Sequence, residues 1–525
     1  VERHPLANKT TAALATMLAL LAVPYFFPRL HALRVARVPW QPSDEQEAPV
    51  DEGSEGKIAK GTPPAGTPPI EVGDQRLSAT ENQAAITNAL PATHAKEALD
   101  PEALARTNGT VAIEDPPAAT GRRALDPFYA ALARTLRKEA GAVTRILHYG
   151  DSVIAGDLIS GTMRRRMQER FGDAGHGFIL IANPWEWYFQ NDIAHSASDG
   201  WSANKLTGPW PDDHVFGIGG VSFHTREPAT AFFSTRADGD YGRKVSRFDV
   251  FYMEQPRGGT VVLSATGRPP EKMPTRSTPS ALAGGGDAGA GAGAGAGNRV
   301  RVKSIAIDDG GGSLTVRALG DGDVRLFGVA LERDRPGVVY DALGAHAARA
   351  SFWSAEDPAD WAAEMQLRGP SLVVLQFGTN ESEDTTIKAE TYAPVFGKLI
   401  EEVQAAAPGV PILIASPLDR AIKGSDGELR TSPVIERIIA GQRAAALEHG
   451  VAFWNTFEAM GGRGTMAKWR HTRPQLGNND LSHPTPAGAE ILGNLFSRAI
   501  FAGYEAYASA HSDAPAIPEA RVPPP

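Results

Sequence analysis

Two stretches of this chain, Leu125 to Gly220 and Val338 to about Ala508, alternate short apolar runs with segments of helical period. That alternation belongs to a parallel sheet whose strands are joined by crossover helices, and it restricts both stretches to one open α/β architecture. The expected strands are Arg145 to Tyr149, Val338 to Tyr340, Leu372 to Phe377, Pro411 to Ala415 and Val451 to Trp454. The expected helices are Pro127 to Lys138, Leu158 to Phe171, Tyr392 to Ala406, Val434 to Glu448 and Thr485 to Tyr504. The stretch between the two reads differently. Val245 to Met253, Thr260 to Ala265, Val300 to Ile307, Ser313 to Ala318 and Asp323 to Glu332 are rich in β-prone residues and separated by Gly-rich turns, which predicts a β-sandwich inserted into the α/β domain.

A chain of 525 residues exceeds one ordinary core. The expected division is residues 1–38 as an N-terminal membrane anchor or signal segment and 39–121 as a disordered Pro/Ala-rich linker. Residues 122–220 form the first part of the α/β domain, 221–335 the inserted β-sandwich, 336–510 the second part, and 511–525 a disordered tail. Ala12 to Phe27 is almost wholly apolar between Lys9 and the cluster Arg29, Arg34 and Arg37, and no small-x-small cleavage site follows directly. We therefore expect an uncleaved anchor in an inner membrane, with the remainder in the periplasm or cell envelope, although the run is shorter than the roughly 20 residues of a comfortable span. Lys and Arg total 52 against 61 Asp and Glu, a net charge of -9, and the cations are scattered. That distribution argues against a nucleic-acid surface. Cys is absent, which removes disulfides, thiol nucleophiles and Cys-based zinc sites.

Chemistry concentrates in two short segments, His148-Tyr149-Gly150-Asp151-Ser152 and Asp480-Leu481-Ser482-His483. A β-prone run precedes the first and a helix follows it, so Ser152 falls in the turn where free backbone N–H groups gather. In the second, Asp480 stands three residues before His483, within reach of one ring nitrogen while the other faces a serine. No Gly-x-Ser-x-Gly elbow surrounds Ser152, so the α/β-hydrolase pattern is not matched.

Gly150-Asp151-Ser152, then Gly378-Thr379-Asn380-Glu381 after an apolar strand, then Asp480 and His483 before Pro486-Ala487-Gly488 follow in one order along the chain. In these blocks the chain resembles the SGNH, or GDSL-type, hydrolases. The resemblance implies a three-layer α/β/α, flavodoxin-like parallel sheet. It also implies an ester hydrolase with Ser152, His483 and Asp480 as catalytic residues and Ser152, Asn380 and the Ala347 region as oxyanion donors. Gly378, Gly220 and Gly344 would shape the substrate pocket. No metal or cofactor is implied. The departure is Ala347, which stands where the family has glycine. Its N–H remains available without a side chain, but a required positive φ would strain alanine.

Within the family the arrangement is similar to bacterial peptidoglycan O-acetylesterases with a carbohydrate-binding-like β-sandwich. Arg170 to Gly177 and Gly328 to Glu332 carry that likeness beside the catalytic blocks. The resemblance implies an acetylated polysaccharide of the envelope as substrate. Two alternatives stay open: an O-acetyltransferase of an envelope glycan, served by an acyl-transfer partner in the membrane, or a non-catalytic glycan-binding protein. His148 and His346 read as structural, and Arg164-Arg165-Arg166 as a solvated helix face. Trp185, Trp187, Tyr188, Trp201 and Trp210 read as packing, with sugar stacking as the alternative.

Overall fold

The computed structural model describes residues 110–116, 122–277 and 298–518. The expected anchor, most of the linker and the Gly-Ala run from Gly284 to Gly297 lie outside the described residues. Strands β1 (Val143–Gly150), β13 (Gly337–Gly344), β14 (Leu372–Gln376), β15 (Ile412–Ala415) and β18 (Ala452–Trp454) form one sheet in the order β13-β1-β14-β15-β18. Every adjacent pair in it is parallel. A parallel sheet needs cover on both faces, and the alternation along β1 shows it. Ile146 faces helices α1 (Asp126–Leu136), α3 (Leu158–Phe171) and α7 (Pro486–Ala510), whereas Leu147 faces α4 (Pro358–Arg368), α5 (Ala389–Ala406) and α6 (Pro433–Glu448). This is the three-layer α/β arrangement expected from the apolar pattern. Each fully buried Leu, Ile or Val contributes roughly 1.5–3 kcal/mol relative to exposure.

Local signals set the helix ends. Thr485 caps α7 by accepting the Gly488 N–H at 3.3 Å, and Pro486 at the first helical position needs no N–H partner. Helix α4 is an addition to the expected set. Its signals were in the chain: Asp357 accepts from the N–H groups of Ala359 and Asp360, Pro358 opens the helix, and Gly369 ends it at φ 61°.

The inserted region forms two antiparallel sheets. The first runs β10 (Arg299–Gly310), β7 (Val245–Glu254), β12 (Val324–Glu332), β5 (Val221–Thr225), β4 (Ser202–Lys205), with β2 (Gly175–Leu180) also on β12. The second runs β3 (Ile193–Ala197), β6 (Pro228–Thr235), β11 (Ser313–Leu319), β8 (Thr260–Ala265), β9 (Glu271–Pro274). Their inner faces share one apolar cluster through Phe251, Leu326, Phe233 and Val316. The antiparallel layer begins at Gly175, well before the expected boundary at Val221. The early strands are short and contain Gly, His, Asn and Ser, so their conformation comes from neighbouring strands and not from local propensity.

Buried charge joins this layer to the parallel sheet. Glu332 on β12 receives Arg145 of β1 at 2.9 and 2.8 Å, Arg247 of β7 at 2.7 Å, and Arg368 of α4. Arg368 also holds Asp341 of β13 through two bonds of 2.6 and 2.8 Å. Burial alone would raise the Glu332 carboxyl, but the guanidiniums of Arg368 and Arg145 outweigh it and hold the group well below the usual carboxylate range.

The run Arg164-Arg165-Arg166 is not a solvated face. Arg164 is buried against Asp157 at 3.1 and 2.6 Å, Arg165 holds Asp192 at 2.9 and 2.6 Å, and Arg166 bonds Asn494 at 2.7 Å. Helical period could not reveal this, because the carboxylates lie in loops before and after α3. His511 to Pro518, assigned from sequence to the tail, are held against the α/β domain, with Ala514 and Ile517 packed on its core. Tyr504 donates to the Pro515 carbonyl at 2.8 Å and Arg170 to that of Pro518 at 2.6 Å.

Candidate active site

Strand β1 leads into the turn that carries Ser152. Asp151 is extended and caps the four-residue helix α2 (Ser152–Ala155), accepting the Val153 N–H at 3.1 Å. A Cβ on Gly150 would lie 2.5 Å from Ile154 Cγ1 and 2.9 Å from the Gln376 carbonyl, so the chain turns this tightly only with glycine. Because β1 lies between β13 and β14, Ser152 opens at the point where connections leave the sheet in opposite directions. Ligand crevices form at such points.

Ser152 Oγ lies 2.7 Å from His483 Nε2, and His483 Nδ1 lies 2.7 Å from Asp480 Oδ2. The other Asp480 oxygen accepts the backbone N–H groups of Ser482 at 2.9 Å and His483 at 3.0 Å, so the carboxylate organises its own loop. Burial would raise Asp480, but the bonds from His483 and the two amides prevail and bring it to about 2. The bond to Asp480 raises the His483 pKa against the opposing effect of burial. An ionised Asp480 assigns the ring proton to Nδ1 and leaves Nε2 to accept from Ser152.

A pH dependence follows from the sign of that shift. A base works only when unprotonated, so kcat/KM should climb with pH through a value above the ordinary histidine pKa of about 6.5. Asp480→Asn removes the raising contact. Its pH–rate profile should show the acid limb at lower pH and a plateau reduced roughly 10⁴-fold; an unmoved limb would mean that another group titrates.

Three chain segments are laced together around Ser152. Ala345 donates to the Gly150 carbonyl at 3.0 Å, Thr379 N–H to Asp151 Oδ2 at 3.3 Å, and Asn380 Nδ2 to the Ala348 carbonyl at 2.9 Å. Glu381 accepts the Ala350 N–H at 2.8 Å and the Tyr392 hydroxyl at 3.2 Å, which fixes the same loops from behind. Burial pushes its carboxyl up to about 7. Among the described residues the N–H groups of Ser152 and Ala347 have no protein acceptor, and Asn380 Nδ2 keeps a second hydrogen. Unspent donors of this kind are what a developing oxyanion requires.

Ala347 adopts φ 61°, in the left-handed region. Alanine there costs roughly 1–2 kcal/mol. Ala347→Gly relieves this while keeping the N–H, and urea denaturation should show a gain on the order of 1 kcal/mol, reduced by glycine's greater freedom in the unfolded chain. A loss of stability would mean that the methyl group is held by packing.

The three glycines expected to shape the pocket are each closely packed. A Cβ on Gly344 would lie 2.1 Å from the Ala155 nitrogen, so glycine there lets α2 rest on β13. Gly378, at φ 129°, is buried against Pro417 and Ile438, and Gly220 lies beneath Trp353. Close packing, against backbone at Gly344 and against side chains at Gly378 and Gly220, accounts for all three and is invisible in sequence. His148 is buried with Nδ1 2.8 Å from the Tyr340 hydroxyl. His346 is half-buried, and burial, then the charge of His483, lower its pKa. Asp151 and Arg420 are the positioning residues that sequence reading left without a role. Arg420 donates to the Thr379 carbonyl at 3.1 Å and Ser382 Oγ at 2.8 Å, just before the hairpin of β16 (Ala421–Lys423) and β17 (Leu429–Thr431). Its place after β15 was the available signal. No group of three His, Asp or Glu among the described residues could hold a metal ion.

Residues 309–491 match the GDSL-like Lipase/Acylhydrolase family. The chain carries a GDSL-type carboxylic ester hydrolase domain. The matched residues include Ala347, Asn380, Asp480 and His483 but begin after Ser152, which the fold supplies from β1. The hydrolase also shares its fold with a solved peptidoglycan O-acetylesterase, at TM-score 0.59 and 19% identity over 75% of this chain and 99% of that one. A family two carbohydrate esterase from Cellvibrio japonicus aligns at TM-score 0.25 and 11% identity, over 59% of this chain and 99% of that one. A search of curated protein sequences returns no match.

Proposed function

We propose that the hydrolase removes O-acetyl groups from peptidoglycan or another cell-envelope polysaccharide, with Ser152 as nucleophile, His483 as base and Asp480 as the group that holds the imidazole. The observation that carries this reading is the relay of two 2.7 Å hydrogen bonds from Ser152 through His483 to Asp480. His483 takes the Ser152 proton as Oγ attacks the ester carbonyl, and the carbonyl oxygen gains negative charge. The N–H groups of Ser152 and Ala347 and the Asn380 amide stabilise that charge, each such donor being worth roughly 10²- to 10³-fold in rate. The imidazolium then protonates the departing sugar oxygen. Water, deprotonated by the same imidazole, attacks the acetyl-enzyme and releases acetate and free Ser152.

The glycan part of the proposal is supported by the fold shared with a peptidoglycan O-acetylesterase and by the β-rich domain beside the site. The basic-flanked apolar stretch Ala12 to Phe27 supports placement at the cell envelope. The test is acetate release by the full chain from O-acetylated peptidoglycan and from a small acetyl ester. Release from both supports the proposal; release from the small ester alone sets aside the glycan, and release from neither sets aside the esterase. Acetylation of added oligosaccharide faster than hydrolysis would identify a transferase.

A further inference from the structure

The aromatic cluster between the nucleophile and the inserted domain divides into two kinds. Tyr188 is buried, with its hydroxyl accepting the Leu180 N–H at 2.9 Å; Trp201 donates to the Thr230 carbonyl at 2.9 Å, and Trp185 packs on the same core. Trp187 and Trp210 are 58% and 49% exposed. Exposed tryptophan is costly in solvent, and Trp210 is also held in place. Its indole N–H donates to the Leu206 carbonyl at 2.7 Å, and its ring meets His214 edge-on at 5.7 Å. His214 in turn bonds the Ala355 carbonyl at 2.9 Å through Nδ1, and its own carbonyl accepts the Asp357 N–H at 2.8 Å. The Trp210 loop is thereby pinned to the short 3-10 turn Ala350–Ala355, which begins three residues after Ala347.

Between loop and turn lies a recess of about 280 Å³, lined by Leu206 to Trp210 and by Phe352 of that turn. With its N–H spent internally, Trp210 offers a ring face and no donor. The recess falls just below the roughly 300–1,000 Å³ of small-molecule sites. Asp212, Asp213 and Lys205 border the loop, so no extended apolar groove receives an acyl chain or a helix. The ligand that fits is one flat ring with an apolar C–H face and a polar rim, belonging to a chain whose ester reaches Ser152.

We propose that Trp210 and Phe352 form a stacking subsite for one N-acetylhexosamine ring of the glycan, remote from the ester-bearing sugar. This deepens the proposed function and rests on it. The inserted domain thus contributes to substrate binding through a loop that touches the segment carrying Ala347. A preordered ring loses little freedom on binding, so the contact should yield about a tenfold gain in affinity.

The test is isothermal titration calorimetry of the full chain carrying Ser152→Ala with an N-acetylglucosamine tetramer. Trp210→Ala and Trp210→Gln should each weaken saturable binding about tenfold without moving the thermal midpoint, and Trp210→Phe should recover most of it. Leu447→Ala, on an exposed face of α6, should leave binding unchanged. Absence of saturable binding, or affinity in Trp210→Ala and Trp210→Gln equal to that of the parent Ser152→Ala chain, overturns the subsite. Trp210-dependent binding by a protein that releases no acetate keeps the subsite and removes the esterase reading. Acetate release with Trp210-independent binding does the reverse.

Discussion

Ser152→Ala is expected to lower kcat/KM for an acetyl ester by roughly 10⁴- to 10⁶-fold while leaving the unfolding transition in place. With Ser152 as the proposed nucleophile, its loss removes the covalent route, and the residual rate is what unspent donors and binding alone provide. Stability should be unaffected, because among the described residues the side-chain partner of Ser152 Oγ is His483, which keeps Asp480. His483→Ala should cost a similar factor, and the double variant little more than either, since the residues act as a unit. Burst kinetics with a chromogenic acetate ester provide the check: the acyl-enzyme burst should vanish in Ser152→Ala. A variant retaining more than about a hundredth of the activity would place the nucleophile elsewhere.

Arg368→Met is expected to give the largest loss of stability, roughly 3–5 kcal/mol, a large part of the 5–15 kcal/mol available to a typical domain. Removing the guanidinium leaves Asp341 with the Phe178 N–H at 2.8 Å as its remaining partner, and removes one of three arginines from Glu332. Both carboxylates are buried, so solvent cannot compensate. The pH dependence has a defined sign. Glu332 has a folded-state pKa below its ordinary value of 4.5, so its contribution is present above that pH and is lost as pH falls toward the depressed value. In Arg368→Met that acid-sensitive contribution should shrink. Urea unfolding at neutral and acidic pH measures both effects, and a loss below about 1 kcal/mol would mean that β12 and β13 are joined by apolar packing alone.

Legibility differed between the two halves of the molecule. The expected helix Leu158 to Phe171 has the observed bounds, and the five parallel strands lie where apolar runs predict them, because burial on both faces demands such runs. Strands β2, β3 and β4 left no comparable trace. Their partners are β12, β6 and β5, and edge-pairing with distant chain asks little of local composition. Arg164 shows the same limit: three consecutive arginines look solvated until Asp157 and Asp192 are seen folded against them.

By itself, the chain determined the α/β alternation, the candidate residues Ser152, Asp480 and His483, and the unusual alanine at position 347. These are local facts, written in residue type and spacing. Tertiary structure decided that Ser152 and His483, 331 residues apart, lie 2.7 Å from one another. It also decided that Ala347 takes a left-handed conformation, that Gly344 packs against Ala155 and that Gly220 packs against Trp353. Of five clustered aromatics, only Trp187 and Trp210 remain well exposed. The physical reason is common to all of these. Periodicity records whether a side chain is buried, whereas chemistry depends on which groups bury it, and those arrive from elsewhere along the chain.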